Sequence, residues 1–208
     1  MTSDLPARLV DAAVASVRAG KPLADVFGEV VGLAAAEAPA PAWDDIATVD
    51  AAADVAKCVP WLQRQPEERP FPAGTSELWF GLYVVRGPVP GRFEATLALS
   101  AGPGFADPDW RLNQKWEAPG YLPALGLRSV MPLAAAEDDG VRAIVAGPVV
   151  FAYSLALAVA VLDGVDPARL LGSITSLGIA VGAPDGQTVT LDLTPDGLDR
   201  SSTTISSK

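Results

Sequence analysis

The residues best suited to chemistry lie in one loop-rich segment, residues 107–121. Asp107 and Asp109 place two carboxylates close together, and Trp110, Trp116 and Tyr121 follow them. Carboxylate oxygens are the ligands that Mg²⁺ and Ca²⁺ prefer, but a calcium loop needs further oxygen ligands at set spacing, and none is recognisable here. Asp-Pro-Asp is more typical of a turn in which the first aspartate caps the chain. We therefore expect no metal in this segment.

The same five residues are typical of a binding surface. Trp and Tyr are favoured anchors of interfaces, and loops held by a rigid scaffold commonly carry function. We therefore predict that any partner contacts this segment. The structural alternative is that the rings of Trp110 and Trp116 close one end of a sheet, in which case they belong to the core.

The missing histidines exclude much catalytic chemistry. The 208 residues contain no His and one Cys, so a Ser-His-Asp triad, a Cys-His pair, a His-ligated zinc site and an intrachain disulfide are excluded. No dinucleotide fingerprint or phosphate-binding loop occurs, and we expect no cofactor. Cys58 lies among apolar residues and is predicted to be a buried core residue. One thiol without disulfides fits a reducing compartment, so we expect a cytoplasmic protein.

The charge balance limits the kinds of partner. There are 25 acidic and 15 basic residues, which gives a net charge of −10. Nucleic-acid binding needs clustered Lys and Arg, so no nucleic-acid partner is expected. An acidic protein would steer a basic protein partner toward itself, although acidic charge also serves solubility alone.

One uncharged stretch has the length of a membrane span. Residues 143–162 carry no charge, but they are rich in Ala, Gly147-Pro148 interrupts them, and no basic cluster flanks them. We therefore predict a buried central helix from about Val149 to Leu162, with Pro148 near its first turn, and no membrane partner.

The remaining elements follow from periodicity and turn signals. Helices are predicted at 4–19, at 23–37, from a Thr48 cap to Cys58, at 122–136 and at 167–171. Two hairpins are predicted at 77–86 with 92–100 and at 177–183 with 188–193. Residues 65–74 read as an extended connector, and residues 101–120 read as irregular.

Strands that come in neighbouring pairs indicate an α+β fold rather than a doubly wound one. We predict N-terminal helices followed by two β-hairpins, which form a mainly antiparallel sheet packed against the Ala-rich central helix. The predicted organisation is a helical region at 1–74, an α+β region at 75–200 packed with it as a single domain, and a flexible tail at 201–208.

Several motifs resemble those of a group of uncharacterised bacterial proteins. These are LWFGLYVV at 78–85, the two tryptophans of 110–116 followed by APGY, the Ala-rich helix, LGIAVG at 177–182, and LTPDGL at 193–198. Some members of that group are similar to immunity proteins, which protect a cell from secreted toxins. The high Ala, Gly and Pro content resembles that of high-GC, actinomycete-like genomes.

Two classes of function remain open at this point. The first is a non-catalytic acidic binding protein, of the immunity or antitoxin type that the resemblance implies. The second is a small carboxylate-dependent enzyme or small-ligand-binding domain. A deep pocket with converging carboxylates would favour the second, and an open acidic face with exposed aromatic rings would favour the first.

Overall fold

The computed structural model describes residues 4–104, 109–110, 113–184 and 186–206. About 47% of the chain is helix and 25% is strand, and the fold is α+β, as the sequence predicts. In the described part of the chain there are seven helices and one six-stranded, mainly antiparallel sheet.

Four helices precede the sheet: α1 (Leu5–Arg18), α2 (Leu23–Glu37), α3 (Ala42–Ala47) and α4 (Ala51–Glu68). The predicted Thr48 cap is wrong, because Asp50 caps α4 by accepting a hydrogen bond from the Ala53 N–H at 2.9 Å. Helix α4 also runs through Pro60 into the predicted connector. A proline removes one N–H donor from a helix, and the packing of the apolar face of α4 offsets that loss.

The strands are β1 (Glu77–Arg86), β2 (Phe93–Gly102), β3 (Trp116–Tyr121), β4 (Leu177–Gly182), β5 (Thr188–Thr194) and β6 (Gly197–Ser206). Their order across the sheet is β3-β2-β1-β4-β5-β6. Both predicted hairpins are present, as β1 with β2 and β4 with β5. They join through a parallel pairing of β1 with β4, which is the one parallel pair in the described sheet.

The two edge strands are absent from the sequence prediction. Strand β3 lies in the segment predicted to be irregular, and Pro119 and Gly120 hide its strand character. Strand β6 includes residues 201–206 of the predicted flexible tail, so that prediction is wrong for these residues. The strand is held by β5 and by the Arg18 guanidinium, which donates to the carbonyl oxygen of Thr203 at 2.5 Å.

The central helix spans Asp139–Gly164 and is longer than predicted. The sequence places its start near Val149, whereas the chain passes Gly147-Pro148 as a π-helical turn, Val145–Val149. Proline has no N–H to donate to the helix. A π turn makes i→i+5 hydrogen bonds, and this local change of pattern lets the helix continue past Pro148. Asp138 caps the start of the helix by accepting a hydrogen bond from the Val141 N–H at 2.9 Å.

After the central helix, a short helix, Pro167–Leu171, leads toward β4. Ahead of the central helix lies α5 (Leu125–Leu133), which is shorter than the predicted 122–136. The central helix is long and apolar enough to cross a membrane, but 72% of its most apolar window is buried inside the fold. Burial of this extent is the pattern of a core helix in a soluble protein.

The two faces of the sheet have different surroundings. The inner face, with Leu78, Phe80 and Leu82 of β1, belongs to one continuous core with the helices. The outer face carries a separate small cluster of Trp79, Trp110 and Ala180, with Tyr83 packed against it. The outer face is therefore where the described sheet is not covered by helices.

One buried carboxylate ties three helices together. Asp54 of α4 is 1% exposed and accepts hydrogen bonds from the Gly126 and Leu127 N–H groups at 2.9 and 3.0 Å, at the start of α5. It also accepts one from the Tyr153 hydroxyl of the central helix at 2.9 Å. A Cβ on Gly126 would lie 2.8 Å from the Asp54 carboxylate, so this close approach requires glycine.

We expect Asp54→Ala to lower the free energy of unfolding by about 3 kcal/mol, because three buried donors lose a charged acceptor. Tyr153→Phe removes one of these bonds and should cost about 1 kcal/mol. Asp50→Ala is the control, since it removes a single exposed cap and should also cost about 1 kcal/mol. Urea unfolding curves measure all three values, and a loss at Asp54 no larger than that at Asp50 would contradict the role of this carboxylate.

Candidate functional site

A groove of about 410 Å³ lies on the outer face, over β1, β2 and β3. Alternation along β1 places Trp79, Gly81 and Tyr83 on this face, and the register sets Ala98 of β2 opposite Gly81. The two small residues form the floor of the groove. Glu117 and Tyr121 of β3 are also part of its lining.

Gly81 allows the two rings of β1 to lean toward each other. A Cβ at this position would lie 2.9 Å from the Tyr83 ring and 3.2 Å from the Trp79 ring. The centroids of these rings are 6.1 Å apart, with 52° between their planes. Any larger residue at position 81 would push the rings apart and change the floor of the groove.

The Trp79 side of the groove is held by several contacts. The Trp79 indole N–H donates to the carbonyl oxygen of Gly182 at 3.2 Å. Trp110 packs edge-on against Trp79, with ring centroids 5.5 Å apart. The Gln114 amide donates to the Trp110 carbonyl at 2.6 Å and to the fully buried carboxylate of Glu77 at 2.9 Å. These contacts fix the wall before any ligand arrives.

The electrostatics of the groove favour a cation. Burial raises the pKa of Tyr83, and the nearby Glu117 carboxylate and Tyr121 raise it further. Tyr121 is 43% exposed, and Glu117 is also exposed, so both are accessible to a ligand. Among the described residues that line the groove there is no Lys or Arg. Aromatic faces beside a carboxylate attract ammonium and guanidinium groups.

The structure separates the five residues that the sequence singles out. Tyr121 lines the groove, Trp110 is buried in its wall, and Asp109 is exposed next to Trp110. Asp107 lies outside the described residues.

Trp116 is not a surface anchor, because it is 2% exposed and faces the inner core. Its indole N–H donates to the carbonyl oxygen of Arg69 at 3.0 Å. Its ring packs edge-on against the Phe71 ring, with the ring centroids 5.0 Å apart. Trp116 is therefore a core residue, which is the structural alternative to a binding role.

Three residues of the groove are missing from the sequence prediction: Trp79, Tyr83 and Glu117. For Trp79 and Tyr83 the sequence does contain a signal, which is the glycine between two aromatic residues of the same strand face, Trp79-Phe-Gly81-Leu-Tyr83. A glycine inside a strand often marks a close approach of other groups. Glu117 carries no such signal, because its strand is not recognisable from the sequence.

No metal-binding cluster is found in the described part of the chain: no group of three Cys, Asp or Glu residues is arranged to hold an ion. Cys58 is fully buried, as predicted. Burial, with a smaller effect of the Asp54 carboxylate, raises the pKa of its thiol to about 12. The thiol is therefore neutral at physiological pH and is a core group rather than a nucleophile.

The comparisons with known proteins give no relative. No family model, no curated protein and no solved structure matches this chain.

We expect Trp116→Ala to lower the free energy of unfolding by about 3 kcal/mol, because it leaves a cavity in the core. Tyr121→Ala is the matched control on the same strand, and it should change stability by less than about 0.5 kcal/mol because the ring is exposed. Urea unfolding of the two variants measures the difference. Equal losses would show that the two rings do not differ in burial.

The thiol of Cys58 should make stability fall at alkaline pH. Its pKa in the folded protein, about 12, lies above the ordinary value of 9.0, so its contribution is complete below pH 9 and is lost as the pH rises toward 12. Over that range the unfolding free energy of the wild type should fall by up to about 1.4 kcal/mol per pH unit more steeply than that of Cys58→Ala. Parallel pH profiles for the two proteins would show that the thiol ionises as freely in the fold as in the unfolded chain.

Proposed function

We propose that this chain is a non-catalytic binding protein whose outer-face groove accepts a cationic side chain from a basic protein partner. The observation that carries the proposal is the lining of the groove. It combines the half-buried ring of Tyr83 and the exposed ring of Tyr121 with the Glu117 carboxylate, next to the buried Trp79, and the described lining holds no cationic residue.

A Lys or Arg side chain matches this lining in both charge and shape. Its aliphatic stem packs on ring faces while its charged head reaches a carboxylate. Attraction between a cation and an aromatic ring contributes about 0.5–2 kcal/mol, more when water is excluded. The net charge of −10 adds long-range attraction, which speeds the approach of a basic partner.

We assign the protein to the immunity or antitoxin type, acting in the cytoplasm of a bacterium. The support is the resemblance of motifs such as LWFGLYVV, which supplies Trp79, Gly81 and Tyr83, together with the acidic charge. A protein of this type works by covering a surface of its partner, so it needs an accessible site and no chemistry. The groove meets this requirement because it opens on the face of the sheet that the helices leave uncovered.

A small-ligand-binding domain is the alternative, and the size of the groove favours it. A volume of about 410 Å³ is within the range of pockets for small molecules. The same lining would then select a small organic cation. A carboxylate-dependent enzyme has less support, because the Glu77 carboxylate is not part of the groove lining and is fully buried and bonded to Gln114.

The first test uses a ten-residue peptide with one central lysine and the same peptide with that lysine acetylated. We expect the lysine peptide to change the fluorescence of the tryptophans, because Trp79 lines the groove, and the acetylated peptide to bind at least about tenfold more weakly. Glu117→Gln and Tyr121→Ala should each weaken the lysine peptide by about tenfold. Asp11→Asn is the matched control, since it removes one exposed carboxylate from α1 on the other side of the sheet.

Equal affinities for the two peptides, or a Glu117→Gln variant that binds like the wild type, would overturn the proposal. Butylammonium ion separates the two functions. Binding of this small amine as tightly as the whole peptide would favour the small-ligand alternative, since a protein partner should gain affinity from contacts around the groove.

A further inference from the structure

We infer that the cation for this groove is also supplied by a second copy of the chain, through Arg92, in a reciprocal dimer. This inference rests on the proposed function of the groove as a cation site. It adds a specific occupant, and it follows from where Arg92 lies relative to the groove.

The β1–β2 hairpin extends beyond the rest of the sheet. Strand β4 pairs with β1 only along Glu77–Gly81, and β3 pairs with β2 only from Ala98 to Ala101. Residues 82–86 and 93–97 therefore pair only with each other among the described strands. We call this two-stranded ribbon, with its turn, the β-arm (residues 82–97).

Arg92 lies on the same face of the β-arm as the groove. The register pairs Arg86 with Phe93, so the next pair, Gly87 and Arg92, is on the opposite face, and the Gly87 N–H donates to the Arg92 carbonyl at 2.9 Å. Arg92 is exposed, and no described carboxylate forms an ion pair with it. Its nearest acidic neighbour on this face is Glu94, whose carboxylate lies over Gly87 without forming an ion pair with Arg92 among the described contacts.

The position of Arg92 suits a symmetric contact. Tyr83 of the groove and the Gly87–Arg92 pair are four residues apart along β1, which is roughly 13 Å. If two β-arms lie antiparallel with their outer faces together, each Arg92 meets the Tyr83, Tyr121 and Glu117 side chains of the other copy. Such an interface is isologous, so both contacts form at once.

We expect the dimer to have a low affinity. Each copy has a net charge of −10, which opposes association of the two bodies. The contact is confined to the β-arms and the grooves, and interfaces of small area are typical of transient complexes. A basic partner and the second copy would compete for the same groove, so the dimer would dissociate when the partner binds.

A charge-swap experiment tests the inference. Sedimentation velocity over a concentration series, into the millimolar range, should show a monomer–dimer equilibrium for the wild type. Arg92→Glu and Glu117→Arg should each raise the dimer dissociation constant by at least about tenfold, because each faces like charges in its own homodimer. An equimolar mixture of the two variants should dimerise again, because the introduced carboxylate of one meets the introduced guanidinium of the other and the second contact stays native.

Arg86→Glu is the matched control: it makes the same change of charge on the other face of the β-arm and should leave the dissociation constant unchanged. A monomeric wild type, a mixture that stays monomeric, or an equal effect of Arg86→Glu would overturn the inference. The lysine peptide keeps this result separate from the proposed function. If the peptide binds the wild type while the protein stays monomeric, only the proposed dimer is wrong. If the peptide does not bind and the protein stays monomeric, the dimer and the proposed function are both wrong.

Discussion

The second half of the central helix has no side that can face water, and this constraint shapes the rest of the fold. Of its fifteen residues, Val150–Gly164, twelve are buried, and they lie all around the helix. Such a helix must be surrounded, and α1, α2, α4 and α5 contact it together with β1, β4 and β6. The Asp54–Tyr153 hydrogen bond is a polar tie within this packing. Helices α1, α2, α4 and α5 thereby lie with the central helix on the inner face of the sheet, and the outer face is left for the groove.

The groove is built from a layer of supporting contacts rather than from the exposed residues alone. Trp110, Gln114 and the buried Glu77 hold Trp79, and Gly81 lets the Trp79 and Tyr83 rings approach. The two accessible groups, Glu117 and Tyr121, come from the edge strand β3. An aromatic wall that is already held in place lowers the entropy cost of binding, because the site itself needs little ordering when a side chain binds.

The sequence predicts those parts of the fold that depend on local pattern. Alternation in β1 and β2 and the apolar run of the central helix are local signals, and both hairpins and the helix are found. Strand β6 is polar and is fixed by its pairing with β5 and by Arg18, which is 185 residues before its partner Thr203. Of the described residues that the sequence singles out, only Tyr121 lines the groove, since nothing local distinguishes Trp116, which faces the core, from Tyr121, which faces out. That difference depends on which face of the sheet the helices cover.

The parallel pairing of β1 with β4 also has a consequence for synthesis of the chain. Leu78 pairs with Ile179, so about 100 residues must be made before β1 meets its neighbour. At ribosomal rates this is roughly 5–20 s, during which the edge of β1 that later pairs with β4 has no neighbour. Long-range pairing of this kind also slows folding, because the chain between β1 and β4 loses entropy on closing before the contacts between the strands stabilise it. Strands β4, β5 and β6 therefore complete the core, and a nascent chain that stalls before them leaves the apolar central helix without the strands that cover it.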